Sequence, residues 1–409
     1  MLMHGLAAST QPDLQIVDRR LDKKTHPPAM RVLTLTPFYP TAYDDAAGGF
    51  IAEPLRELEH FGVNHCVVAV QPLYRSSEGS NTTTPVATWI HYPCIPGGIG
   101  LSSAGAFLYA SLVSRVRKLH RSQPIDLLHA HAALPCGHAA ALLSQELKIP
   151  YAVSVHGLDA FFDNQVLGYA GQWCKRVAQF VYRSASRVIC ISDKVAKKVV
   201  DGAAAPLNTR VIYNSVDAHM FSPASTDFPS NSILSVGNLI PIKGHELLVR
   251  ALASVLPHYP HISYEVIGDG PEHDRLARLA RDCNLSGKVR FLGRQNRMQV
   301  AEAMRRCVLF ALPSRYEGLG CVYLEAMSTE KPVIACRGQG IDEIIRHGSN
   351  GWLIDPGNLQ ELVAALSVLL QNLQLRQQIG KAARRTILQG LTSAHQATQL
   401  ATLYRECAA

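Results

Sequence analysis

Two series of alternating strands and helices limit the fold of this chain more than any other feature. Apolar runs of strand length begin at Arg31 and recur up to residue 191, with helical stretches between them. Residues 221–232 are rich in Pro, Ser and Thr and interrupt the alternation, which then restarts. Strands that alternate with helices at these lengths pair in parallel and are covered by helices on both faces. The sequence therefore predicts two doubly wound α/β domains.

The predicted domains share the chain almost equally. At 409 residues the chain is longer than one hydrophobic core usually supports, which also favours two domains. We expect the first domain to span residues 30–222 and the second to span residues 230–387. Residues 1–29 are polar, contain Pro27 and Pro28 and show no period, which predicts a disordered tail.

The composition favours a basic protein with reduced thiols. The net charge is +8, which fits anionic substrates or an anionic membrane surface, with solvated helix faces as the alternative. No nucleic-acid-binding motif accompanies this charge. The ten cysteines are scattered without metal-ligand spacing, which is typical of a cytosolic protein. We find no secretory signal or membrane-spanning run and expect a cytoplasmic protein, with peripheral membrane contact as an alternative.

Residues 79–114 contain no Asp, Glu, Lys or Arg, and prolines and glycines break them. The pattern predicts a strand, a glycine-rich loop and a helix from about Ser103. This region could contact a substrate or a membrane, or it could serve ordinary packing.

The strongest candidate site lies in residues 313–327. An apolar strand precedes it and a helical pattern follows, while Gly318, Leu319 and Gly320 form the turn between them. A helix start of this kind offers backbone N–H groups and a positive dipole end to an anion, and glycine permits close approach. Glu317 and Glu325 bracket the turn and would accept hydrogen bonds from hydroxyls on either side of a diphosphate. The spacing alone fits a nucleotide-sugar site and an ordinary helix start with two surface glutamates equally well.

The window from residue 313 to residue 343 resembles the donor site of the retaining glycosyltransferases of family 4. The Glu-x7-Glu motif of that family falls on Glu317 and Glu325, and the resemblance continues upstream through residues 236–244 and 266–271. It implies the GT-B fold, in which two Rossmann-like domains face each other across a cleft. It also implies that the last helix, about residues 388–409, joins the first domain.

The same resemblance assigns roles within the second domain. It implies that Lys243 neutralises the donor diphosphate, Glu317 contacts the hexose and Glu325 binds the ribose hydroxyls. Family members commonly carry an arginine where this chain has Asn238, so Lys243 would carry more of the charge, or Arg294 or Arg315 would assist. Four other residues complete the predicted donor-binding set: the turn residues Gly318, Leu319 and Gly320, and Gly268 after the predicted strand at residues 262–267.

In the first domain the resemblance adds a histidine to the site. His156 ends a strand and matches a histidine that contacts the donor sugar, so the predicted catalytic residues are Glu317, Lys243 and His156; a structural histidine is the alternative. Gly48, Gly49 and Asp159 are predicted to form an acceptor or phosphate loop, with a plain helix start as the alternative for the two glycines. His129 and His131 are expected to be structural.

No Asp-x-Asp motif is present, so we expect metal-independent transfer without a cofactor. The resemblance implies a UDP- or GDP-linked hexose as donor. A glycan, a lipid-linked molecule or a small molecule would be the acceptor, as in polysaccharide biosynthesis. Two alternatives remain open: a nucleotide-sugar 2-epimerase of the same fold, which would need extra acid/base carboxylates, and a non-catalytic nucleotide-sugar-binding protein.

Overall fold

The computed structural model describes residues 30–41, 44–75, 86–160, 166, 168–203, 205–224 and 231–409. The predicted disorder of residues 1–29 lies outside these ranges, and so do six residues, 225–230, of the predicted linker. Within the described chain the strands form two sheets in which every pairing is parallel. The predicted pair of doubly wound α/β domains is therefore confirmed.

The first sheet has seven described strands in the order β3-β2-β1-β4-β5-β6-β7. They are β1 (Met30–Thr36), β2 (Val63–Pro72), β3 (Ala87–Tyr92), β4 (Leu127–His131), β5 (Tyr151–Val155), β6 (Arg187–Cys190) and β7 (Thr209–Val211). The helices of this domain are α1 (Gly49–Leu58), α2 (Gly98–Ser122), α3 (His138–Leu147), α4 (Gly168–Ser184) and α5 (Asp193–Ala203).

The second sheet has six described strands in the order β10-β9-β8-β11-β12-β13. They are β8 (Ser232–Val236), β9 (Ser263–Ile267), β10 (Val289–Phe291), β11 (Cys307–Ala311), β12 (Val333–Cys336) and β13 (Trp352–Ile354). The helices that follow are α6 (His245–Val255), α7 (His273–Asp282), α8 (Arg297–Arg306), α9 (Cys321–Ser328), α10 (Leu359–Gln371), α11 (Leu373–Gly390) and α12 (Ser393–Ala408).

Each sheet reverses its strand order beside its first strand. β1 lies between β2 and β4, and β8 lies between β9 and β11. Ligands of open parallel sheets bind in the crevice at the carboxyl ends of the strands beside such a reversal. Central strands such as β4, β5 and β11 are buried along their whole length, because helices cover both faces of a parallel sheet.

The terminal helix α12 packs against the first domain. Tyr404 of α12 is fully buried, and its hydroxyl lies 2.7 Å from Nδ1 of His129 in the middle of β4. The other ring nitrogen of His129 lies 2.8 Å from Ser154 Oγ. His129 is thus held on both sides and has a structural role.

Three local predictions differ from the structure. Helix α2 begins at Gly98 and not near Ser103, because Gly100 allows the helix to approach the Ile95 carbonyl, where a Cβ would lie at 2.1 Å. The short edge strand β7 was not predicted, since none of its three residues is fully buried. The long helical pattern after residue 359 divides at Asn372, whose side chain accepts a hydrogen bond from Leu375 N and starts α11.

Among the helices that the structure describes, none is both long and apolar enough to cross a bilayer.

Candidate functional site

The turn before α9 faces the first domain. Gly320 has φ 82°, in the left-handed region, and precedes α9 without a side-chain cap. Ser192 of the first domain donates a hydrogen bond of 2.8 Å from Oγ to the Gly318 carbonyl. A Cβ on Gly318 would lie 2.5 Å from the carbonyl oxygen of His156. The N-terminus of α9 therefore lies where the two domains meet, and Leu319 between the two glycines is fully buried.

Glu317, which is buried, and Lys243, which is partly buried, form an ion pair beside this turn. Lys243 Nζ donates to Glu317 Oε1 at 2.7 Å, and Ser314 Oγ donates to the same oxygen at 2.9 Å. The backbone of Glu317 is fixed as well, since its N–H donates to Gln339 Oε1 at 3.1 Å. Among the described residues no partner reaches Oε2 of Glu317. The carboxylate is therefore held in one orientation with an acceptor oxygen left for a ligand hydroxyl.

Lys243 reaches this position because the chain turns sharply after β8. Residues Pro241–Lys243 form a single 3-10 turn, and Gly244 follows with φ 74°. A Cβ on Gly244 would lie 2.1 Å from the Pro313 carbonyl, so only glycine lets the Lys243 turn and the Glu317 loop approach each other.

Glu325 contacts an arginine that was not predicted as a site residue. Arg297, the first residue of α8, donates from Nη1 to Glu325 Oε1 at 3.2 Å and pairs through Nη2 with Glu53 of α1. Its backbone N–H donates to Asp45 Oδ1 at 3.1 Å, and its guanidinium lies 5.1 Å from the centre of the Phe221 ring. Arg297 thus joins the donor-side glutamate to the first domain.

Burial shapes the protonation of this cluster. Burial raises the pKa of Glu53 to about 7, although the Arg297 charge opposes the rise. Burial also raises the pKa of Glu325, again against Arg297. Two buried carboxylates therefore share one guanidinium, and each would be costly to keep ionised without it.

The capping box of Asn296 and Gln299 was the available signal for the position of Arg297. The Asn296 side chain accepts from Gln299 N at 2.9 Å, and the Gln299 side chain accepts from Asn296 N at 3.0 Å. This pattern predicts that a helix begins at Arg297, yet it carries no information about partners far away in sequence.

His156 lies at the end of β5 in an aromatic setting. Its ring centroid lies 5.0 Å from that of Phe50, and its Nε2 lies 3.1 Å from His131 Nδ1. Burial lowers the pKa of His156 to about 4, so the ring is neutral near pH 7. Among the described residues Nδ1 of His156 has no hydrogen-bond partner. His131, which was expected to be structural, thus contacts this candidate catalytic residue.

Asp159 belongs to the same turn. Its Oδ1 accepts a hydrogen bond of 2.8 Å from the His156 backbone N–H, while its buried Oδ2 has no partner among the described residues. Burial raises the pKa of Asp159 to about 7, and the hydrogen bond from the His156 backbone opposes the rise. The carboxyl thus shapes the loop that carries His156.

The glycine pair before α1 also faces the second domain. Gly48 has φ 81°, and a Cβ there would lie 2.6 Å from the Phe38 backbone. A Cβ on Gly49 would lie 2.8 Å from Arg297 Nη1. The start of α1 is therefore placed against the arginine that holds Glu325.

Three further predicted donor residues lie around the ends of β8, β9 and β10. Asn238 is exposed directly after β8. Gly268 has φ 140°, and a Cβ there would lie 2.0 Å from the Gly237 carbonyl, so glycine is needed where β8 and β9 end. Arg294 donates from Nη2 to Asp44 Oδ2 of the first domain at 2.7 Å. The structure pairs Arg294 across the cleft and does not join it to Lys243.

Comparisons with known proteins agree with this geometry. A family profile described as "Glycosyltransferase Family 4" matches residues 50–219, and one described as "Glycosyl transferases group 1" matches residues 222–386. An uncharacterized glycosyltransferase of Methanocaldococcus jannaschii is 31% identical over 269 residues, which are 65% of this chain and 71% of the relative.

Two solved structures have a similar fold. Sucrose-phosphate synthase from Thermosynechococcus elongatus superposes with a TM-score of 0.75 at 19% identity, over 92% of this chain and 98% of that one. HepE from Anabaena in complex with UDP-glucose superposes with a TM-score of 0.72 at 22% identity, over 92% of this chain and 100% of that one.

Proposed function

This chain belongs to glycosyltransferase family 4 and has the GT-B fold, and from that premise we propose that it transfers a hexosyl unit from a nucleoside-diphosphate sugar with retention of anomeric configuration. The observation that carries the proposal is the partly buried ion pair of Lys243 and Glu317 beside the uncapped start of α9. The Lys243 ammonium suits a phosphate, and the Glu317 carboxylate suits sugar hydroxyls.

The donor would lie along the turn at residues 318–320. Its diphosphate would receive hydrogen bonds from the first N–H groups of α9 and from Lys243, which would exchange part of its contact with Glu317 for a phosphate oxygen. Glu317 would then accept hydrogen bonds from hexose hydroxyls through Oε2. Glu325 would bind the ribose hydroxyls with the oxygen that Arg297 leaves open.

The departing diphosphate would be stabilised without a metal ion. The lysine charge and the dipole of α9 oppose the negative charge that develops on the leaving group, in a site from which domain contact excludes water. Retention would follow from attack on the face of the leaving phosphate. The nearby carboxylates of the first domain are engaged elsewhere: Glu53 with Arg297, and Asp159 with the His156 backbone. A covalent glycosyl-enzyme intermediate is therefore not part of the proposal.

His156 would contact the donor sugar from the first domain. Its lowered pKa keeps the ring neutral, so its unpartnered Nδ1 could donate to or accept from a hydroxyl close to the reacting carbon. Such a contact would orient the sugar and would add no positive charge beside an oxocarbenium-like transition state.

The donor base is proposed to be uracil, because the similar structure of HepE holds UDP-glucose; a GDP-linked donor is the alternative. The acceptor would be a glycan, a lipid-linked molecule or a small molecule. Peripheral contact with a membrane is supported by α4, where Tyr169 and Trp173 are 92% and 57% exposed beside the exposed Lys175 and Arg176.

A panel of UDP- and GDP-sugars tests the function. We expect one donor to raise the melting temperature and to release its nucleotide when an acceptor is added, with equal rates before and after treatment with a chelator. Nuclear magnetic resonance of the product should show the anomeric configuration of the donor. Formation of an epimer from the donor alone would favour the 2-epimerase, and tight donor binding without turnover would favour the non-catalytic protein.

A further inference from the structure

A cavity of about 480 Å³ opens beside Glu317 on the side of the first domain. Its walls come from α4, α5 and the loop before α9, so both domains contribute to it. Four of the nine lining side chains are lysines, namely Lys175, Lys194, Lys197 and Lys198. Its volume lies within the range typical of small-molecule sites.

The four lysines of this cavity outnumber its two carboxylates, so its net charge is positive. Its two carboxylates are already paired, Asp201 with Lys197 at 2.8 Å and Glu317 with Lys243 at 2.7 Å. Lys198 Nζ lies 5.0 Å from the centre of the Tyr316 ring. In the described part of the chain, no carboxylate lies within ion-pair distance of Lys175 or Lys194. Lysine charges gathered around one cavity repel one another, and a bound anion offsets that repulsion.

The start of α5 is already occupied by a carboxylate. Glu343 of the second domain accepts hydrogen bonds of 2.8 Å from the backbone N–H groups of Asp193 and Lys194, and it accepts a third from Tyr213. This contact fixes α5 against the second domain. An anion in the cavity would therefore be held by lysine side chains and not by the helix end.

We infer that the lysine cavity binds a phosphate-type anion on the acceptor, so that the hydroxyl to be glycosylated reaches the sugar held at Glu317. This inference rests on the proposed function and names the chemical class of its acceptor. Lysine is a common ligand of phosphate, and several lysines around one cavity suit a doubly charged phosphate or diphosphate better than a neutral glycan. The anion would belong to a water-soluble sugar phosphate or to a lipid-linked diphosphate.

The test uses the full chain with UDP in saturating amounts, so that the donor diphosphate site is occupied. Inorganic pyrophosphate is titrated by calorimetry at low ionic strength into wild type, into Lys194→Ala/Lys198→Ala, and into Arg278→Ala/Arg281→Ala. The last variant loses the same charge from the exposed face of α7 in the second domain. Because each lysine would contribute one charge-assisted contact, we expect affinity to fall about tenfold or more in the lysine variant and by less than about twofold in the control.

Two arms identify the source of the anion. Glycerol 1-phosphate serves as the soluble probe, and vesicles of phosphatidylcholine with phosphatidic acid serve as the lipid probe. A lysine-dependent loss of binding in either arm supports the inference and tells which acceptor carries the phosphate. Wild type that binds no pyrophosphate in the presence of UDP, or a lysine variant that binds all probes as wild type does, overturns it.

The inference and the proposed function can fail separately. UDP-sugar hydrolysis without acceptor reports on the donor site alone. If Glu317→Gln abolishes this hydrolysis while the lysine variant keeps wild-type affinity for pyrophosphate, the transferase assignment stands and the anionic acceptor is wrong. If no nucleotide-sugar is bound or turned over at all, the proposed function is wrong.

Discussion

Arg297 and Glu53, which lie 244 residues apart in sequence, form a buried ion pair between the two domains. Their side chains are only 12% and 4% exposed, and the same guanidinium also bonds Glu325 in the candidate donor site. One arginine thus couples the position of the first domain to the glutamate proposed to hold ribose. A buried ion pair of this kind contributes little to folding stability when it is intact, but removing one partner is costly because the other charge stays buried without a partner.

Arg297→Ala should therefore destabilise the protein strongly. The change leaves Glu53 and Glu325 buried without their common partner, which costs about 3–5 kcal/mol. Urea unfolding measures the loss. Arg294→Ala is the matched control, because the Arg294 pair with Asp44 is largely exposed and its removal should cost about 1 kcal/mol or less. Equal costs for the two arginines would contradict the role given to Arg297.

Lys243→Ala and Glu317→Gln should each abolish turnover while leaving the fold intact. Lys243→Ala removes the proposed contact with the donor phosphate, and Glu317→Gln removes the proposed carboxylate contact with the hexose hydroxyls. We expect each change to lower kcat about 100-fold or more. The double variant should lose less than the sum of the two free energies, because the side chains contact each other at 2.7 Å. Initial rates of nucleotide release measure turnover, and circular dichroism checks that each variant is folded. Near-normal rates in either single variant would remove the site assignment.

Local pattern was enough to predict the backbone elements of the candidate site. The strand, turn and helix start around Gly318 and Gly320 follow from residues adjacent in sequence, and so does the placement of Lys243 after β8. The fold class was predictable for the same reason, since buried parallel strands read as continuous apolar runs.

Long-range partners were not predictable in the same way. Glu53 and Arg297 belong to different domains, and neither carries a local signal for the other. Arg294 was expected to assist with phosphate, yet its position beside Asp44 depends on how the two sheets face each other. Such contacts depend on domain packing, which strand and helix periodicity does not specify.

His156→Asn should change the acid sensitivity of the protein. The pKa of His156 is lowered by burial from 6.5 to about 4, so the unfolded chain binds a proton that the folded chain does not. Its contribution to stability is complete above about pH 6.5 and is lost as the pH falls toward about 4. Urea midpoints measured across this window should rise less steeply with pH in the variant. Parallel curves would show that His156 is not buried in neutral form.

Asp159→Asn should change the pH dependence of stability in the opposite direction. Burial raises the pKa of this carboxyl from 3.8 to about 7, so the folded chain holds a proton that the unfolded chain releases. The contribution of the protonated Asp159 carboxyl to folding stability is present at acid pH and is lost as the pH rises through about 7. The asparagine variant should therefore gain stability relative to wild type between about pH 4 and about pH 8. A constant difference over that range would contradict the raised pKa.

Gly318→Ala should weaken donor turnover through the contact between domains. The added Cβ would lie 2.5 Å from the His156 carbonyl and 3.1 Å from the Ile191 side chain, so the turn must move away from the first domain. Gly390→Ala is the control, because nothing lies within 4 Å of a Cβ at that helix position and the change should stabilise the fold by about 0.5–1 kcal/mol. We expect kcat/KM for the donor to fall about tenfold or more in Gly318→Ala and to stay unchanged in Gly390→Ala, since misplacement of about 1 Å at a reacting site costs about 100-fold. A Gly318→Ala enzyme with wild-type kcat/KM would mean that the turn does not need close contact with His156 for catalysis.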